Sequence, residues 1–100
     1  MTEHEIRVRT WVAAGEQDVR KGLLGWISVE YGSLILDGIT LRRTLDDRFA
    51  LSFPSRSDRD GRRHAFVRPA DDAARQQIER ELLWQLGERD DFEIAARSRP

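Results

Sequence analysis

Apolar and polar residues alternate in four stretches of the first half of the chain, the period of strands that bury one face. In Ile6-Arg7-Val8-Arg9-Thr10-Trp11-Val12 the alternation predicts Ile6, Val8, Thr10 and Val12 on one side, with Arg7, Arg9 and Trp11 on the other. Leu23 to Tyr31 sets Ile27, Val29 and Tyr31 against Trp26, Ser28 and Glu30. Between these two, Ala13 to Gly22 is polar with a glycine near each shoulder and is expected to be a hairpin loop. Leu34 to Thr44 is the longest strand candidate. Asp37-Gly38 interrupts it, as a bulge or bend, with a hairpin turn at Asp-Gly as the competing reading. Beyond it Ile39 and Leu41 point inward and Thr40, Arg42 and Thr44 outward. Phe49, Leu51 and Phe53 alternate with Ala50 and Ser52 in a fourth strand, which Pro54 ends by withholding a ladder donor.

The second half changes period. Ser55 to Arg63 reads as a loop with Asp60-Gly61 at its tip, and His64 to Arg68 as a fifth short strand, held extended by Pro69. Asp71 to Leu86 is a helix: Asp71 suits the N-cap, Asp72 complements the positive helix end, and Gly87 suits the position after the last turn. Ala74, Ile78, Leu82 and Leu86 recur every fourth residue, with Leu83 beside them, as the buried stripe. Trp84 falls off that stripe and is expected under a sheet edge or in a subunit interface. Glu88 to Pro100 has no period, with Phe92 and Ile94 as its docking candidates. The pattern predicts an α+β fold, an antiparallel sheet of about five strands followed by one C-terminal helix packed on one face. A single domain over residues 1–87 and a loosely ordered tail over 88–100 are expected.

Composition narrows the class. One hundred residues with 39% hydrophobic and 35% charged positions make one domain with a thin core, a situation that favours self-association. No apolar run is long enough to span a bilayer, and the acidic N-terminus is unlike a secretory signal. The absence of cysteine excludes disulfides and thiolate metal sites, and a cytoplasmic protein is expected. The net charge of −1 argues against wholesale attraction to nucleic acid, yet Arg42 to Arg68 holds eight arginines against four aspartates. A basic centre in an acidic frame can form a local anion-binding face.

Phe49-Ala50-Leu51-Ser52-Phe53-Pro54-Ser55-Arg56, then Asp60-Gly61, then Phe66-Val67-Arg68-Pro69, then Arg75-Gln76-Gln77-Ile78 follow one another in an order and spacing that resembles the SpoVG family. The Ile39-Thr40-Leu41 and Ile6-Arg7-Val8-Arg9 strands also have counterparts there, so the resemblance spans roughly residues 5 to 87. It implies a SpoVG-like fold and a dimeric, non-catalytic regulator of septation and sporulation type that binds nucleic acid. In the family, basic residues just after the Pro-Ser step are implicated in binding. That role maps onto Arg56, with Arg59 standing in for the charge absent at Ser57.

The residues themselves support the same chemistry. Phosphate contacts need several arginines on a rigid support, and a strand-loop-strand carrying Arg56, Arg59, Arg62, Arg63 and Arg68, joined by Arg42, would provide one. Trp11 and Trp26 are expected to pack in the core or a subunit interface; exposed on the sheet, they would offer surfaces for base stacking. DNA is expected ahead of RNA, bound through its backbone, and a homodimer is the expected assembly. No catalytic residue, metal site, cofactor, membrane or small-molecule substrate is expected. His64 reads as a surface or strand-edge residue, and the pairs Asp46-Asp47, Asp71-Asp72 and Asp90-Asp91 as a turn, a helix cap and a tail. The alternative is a protein-interaction module that uses an exposed sheet edge without binding nucleic acid.

Overall fold

A computed structural model describes residues 5–92. The expectation for Ile94, and most of the tail, lie outside the described residues. Strands β1 (Ile6–Ala13), β2 (Leu23–Tyr31), β3 (Leu34–Arg43) and β4 (Phe49–Ser52) form one antiparallel sheet in the order β1-β2-β3-β4. Helix α1 (Glu16–Arg20) links β1 to β2. Strands β5 (Ser55–Ser57) and β6 (Arg63–Ala65) pair only with each other, and helix α2 (Asp72–Gly87) follows.

The fold is therefore α+β, with a correction to the sheet. Four strands, not about five, share it. The fifth leaves and forms a separate two-stranded ribbon with a segment expected as loop. Pro54 stands at the exit: it cannot donate to the ladder, while its carbonyl still accepts from the Phe66 N–H at 2.9 Å, which closes the base of the ribbon. The Ala13 to Gly22 link is likewise not a plain loop, since α1 occupies its middle and Val19 reaches the core.

The face assignment of β1 also needs correcting. The register slips between Val8 and Thr10, where β1 carries one residue more than β2. A one-residue slip exchanges the faces of a strand. Val8 and Trp11 are buried, whereas Thr10 and Val12 are exposed. The Trp11 indole then lies over Gly25, where a Cβ would stand 2.3 Å from its ring. Asp37-Gly38 is a bulge within β3 rather than a hairpin turn: Ile27 pairs with Ile39 and Val29 with Leu36, and Gly38 takes a left-handed φ of 86°.

Leu24, Ile27, Val29, Ile39, Leu41 and Leu51 from the sheet meet Leu82 and Leu86 from α2 in the core. Ile78 and Leu83 pack against it, as the helix stripe predicts. Asp71 caps α2, its carboxylate accepting from the Ala74 N–H at 2.8 Å. The helix runs through Gly87 and its C-cap is Glu88, one residue beyond the expected end. Trp84 is 64% exposed, so it packs under no sheet edge of this chain. Phe92 docks edge-on against Trp11, with ring centroids 4.9 Å apart.

Polar side chains of α2 reach both edge strands. On β1, Gln85 accepts from the Val8 N–H at 2.7 Å and donates to the Ile6 carbonyl at 2.8 Å. On β4, Glu79 accepts from the Leu51 N–H at 3.1 Å, and Arg75 donates to the Leu51 carbonyl at 3.0 Å and to Glu79 at 3.2 Å. The helix thus replaces a fifth strand at one point on each edge.

Candidate nucleic-acid interface

The ribbon is organised by an aspartate. Asp58 accepts from the N–H groups of Asp60 and Arg62 through one oxygen, both at 2.9 Å. Its other oxygen lies 2.7 Å from Nε2 of His64. The hydrogen bond to His64, followed by that from the Arg62 N–H, holds the Asp58 carboxyl below its ordinary pKa. Backbone bonds close the tip, Asp58 N–H to the Arg62 carbonyl at 2.8 Å and Gly61 N–H to the Asp58 carbonyl at 3.0 Å. The residues between β5 and β6 are consequently a tied turn.

Around this turn the arginines point into solvent. Arg56, Arg59, Arg62, Arg63 and Arg68 are all exposed. Arg63 donates to Oγ of Ser55 at 2.6 Å. The side chains of the other four make no hydrogen bond or ion pair with any described residue. The Asp58 carboxylate is already engaged by backbone and His64. The guanidinium groups are thus unneutralised and aimed outward.

Register places them around the ribbon rather than on one side of it. Arg56 pairs with His64, and Ser57 with Arg63, so Arg56 and Arg63 belong to opposite faces. Arg68 stands apart from the ribbon and lines an open cleft of about 1010 Å³ at α2, together with Leu36, Phe53, Ile78 and Arg80. Arg42 is on β3, paired with Ala50 of β4 and Leu23 of β2, half-buried and without an ion pair among the described residues. The six candidates therefore divide into a ribbon cluster (Arg56, Arg59, Arg62, Arg63) and two cations elsewhere.

Other charges in the basic centre are spent locally. Arg43 pairs with Asp47 at 2.7 Å and lies over the Phe49 ring, and Arg48 pairs with Asp46 at 3.2 Å. Asp46 also accepts from the Thr44 hydroxyl, the largest cause of its lowered pKa. Arg89 and Asp91 form a pair at 2.7 Å. No pattern of apolar and polar positions in the sequence points to the roles of Asp58 at the turn or of Arg75, Glu79 and Gln85 at the sheet edges, although Arg75 belongs to the Arg75-Gln76-Gln77-Ile78 motif. For Asp58 a signal exists: an aspartate two residues before Asp-Gly can accept from the turn's own N–H groups.

Among the described residues, no group of three or more His, Cys, Asp or Glu side chains is placed to hold a metal ion. No described helix is long and apolar enough to cross a membrane. No family model, curated protein or solved structure matches the chain.

Proposed function

We propose that this protein is a non-catalytic, nucleic-acid-binding regulator of the SpoVG type, acting as a homodimer and gripping phosphates with the arginine ribbon. One observation carries the proposal: the side chains of Arg56, Arg59 and Arg62 are exposed on a ribbon whose turn is tied internally by Asp58, and they have no carboxylate partner among the described residues. Guanidinium groups held on a short support bind phosphate oxygens bidentately at little ordering cost. Their spread around the ribbon suits a strand that wraps a projecting finger, and favours backbone contacts over base readout. The sequence motifs shared with the SpoVG family supply the expectation of DNA and of a dimer.

The test is fluorescence anisotropy of labelled oligonucleotides against salt. Log affinity is expected to fall linearly with log salt, by about 0.9 per phosphate contact on duplex and about 0.7 on single strands. The double variant Arg62→Ala with Arg63→Ala is expected to flatten that slope by one to two contacts while leaving the melting temperature nearly unchanged. A salt-independent affinity, or wild-type binding by the double variant, would remove the ribbon's role.

A further inference from the structure

Trp26 serves no packing role comparable to that of Trp11. Trp11 is 7% exposed, seated over Gly25 and contacted by Phe92. Trp26 is 39% exposed, in the middle of the sheet face opposite α2. It pairs with Val12 of β1 and Thr40 of β3, and Ser52 of β4 extends the row. Thr10 and Ser28 flank it on one side, Arg42 and Ala50 on the other. The row holds one large ring among short side chains, a flat platform at the centre of an uncovered face.

The charges of that face lie at different ends. On the Ser28 side of Trp26 the Asp37 carboxylate accepts from the Ser28 hydroxyl and keeps its charge, and Glu30 lies 4.0 Å from Arg9. Arg42 has no counter-charge among the described residues and sits on β3 two residues from Thr40, the cross-strand neighbour of Trp26. An aromatic ring beside an unneutralised guanidinium is the pairing that takes an unpaired base and its phosphate. In a duplex the base faces are already stacked and closed to such a ring.

We infer that the open sheet face binds single-stranded nucleic acid, with an unpaired base stacked on Trp26 and a neighbouring phosphate at Arg42. This deepens the phosphate-binding reading and rests on it for the class of ligand, but it is carried by a different surface and tested by a different contrast. The full chain is titrated with a labelled oligodeoxythymidine, an abasic strand of equal length and a duplex of equal length, each at two salt concentrations. Trp26→Ala is expected to weaken the oligodeoxythymidine about ten-fold. It leaves the abasic strand and the salt slope as they were, and Trp26→Phe recovers most of the loss.

Equal affinity of the wild type for the strands with and without bases overturns the stacking site and leaves the phosphate reading standing. So does an equal loss on both strands in Trp26→Ala. Salt-independent binding of all three ligands overturns the phosphate reading instead. Sedimentation of Trp26→Ala as a monomer beside a dimeric wild type assigns the face to a second copy of the chain and also overturns the stacking site. If Trp26→Ala shows no melting transition, Trp84→Phe keeps Trp26 as the one exposed tryptophan among the described residues. Its fluorescence is then expected to be quenched by oligodeoxythymidine and not by the abasic strand, and equal quenching by both overturns the inference.

Discussion

At the scale of single residues, Asp58 shapes the arginine ribbon more than any arginine does. Its two oxygens hold the turn's N–H groups and His64, and these bonds keep the carboxyl ionised below the ordinary aspartate range. The sign of the pH effect follows. A depressed folded-state pKa means that the ordering is fully present above the ordinary aspartate value of about 3.9, and is lost as pH falls through the lowered value. Carboxyl resonances followed by NMR are expected to show Asp58 titrating below that ordinary value, with the Arg62 and Asp60 amides moving in the same step. Asp58→Ala is expected to leave global stability nearly unchanged, because the ribbon is exposed, but to weaken polyanion binding by loosening the support of Arg59 and Arg62. Unchanged affinity in Asp58→Ala would show that the guanidinium groups need no rigid turn.

At the scale of elements, the helix was legible and the path of the strands only partly so. Ile78, Leu82 and Leu86 recur with the helical period and an aspartate stands at its cap, so local sequence and tertiary packing agree there. The bulge after Val8 left no such mark. It brings Trp11 inward because a tryptophan buries more surface than Thr10 or Val12, and Gly25 has no side chain to obstruct it. The gain in burial overrode the alternation. Gly25→Ala sets a Cβ 2.3 Å from the Trp11 ring and 2.6 Å from the Val12 carbonyl oxygen, and the second of these is backbone. It is expected to cost about 1–3 kcal/mol in chemical denaturation. Leu82→Ala, at a fully buried position, is expected to cost about 2–5 kcal/mol. The edge contacts of α2 were hidden for a different reason: their partners are backbone atoms far away in sequence, and no side-chain pattern reports those. Gln85→Glu keeps an acceptor for the Val8 N–H but sets a carboxylate against the Ile6 carbonyl, and is expected to be less stable than wild type by about 1–3 kcal/mol. A denaturation midpoint equal to that of wild type would show that water satisfies both edge groups as well as glutamine does.

At the scale of the whole molecule, one helix covers one face of a four-stranded sheet, and apolar area is left over. Val12, Trp26, Tyr31, Leu34, Ile35 and Trp84 are among the large apolar side chains that stay exposed. Tyr31, Leu34 and Ile35 cluster at the turn joining β2 to β3. Exposed apolar groups gathered in this way are what a subunit contact removes from water. Side chains of α2 already take edge groups of β1 and β4, so a second copy is more readily met by this turn than by strand addition at Val8 or Leu51. For the proposed homodimer, self-association must couple to folding, because only the folded chain presents these surfaces. The thermal midpoint is then expected to rise with chain concentration, and sedimentation equilibrium at micromolar concentration to give twice the chain mass. A single-chain mass together with a concentration-independent midpoint would remove the dimer. It would leave the arginine ribbon as a finger on a monomer, able to contact only the few phosphates that one turn can reach.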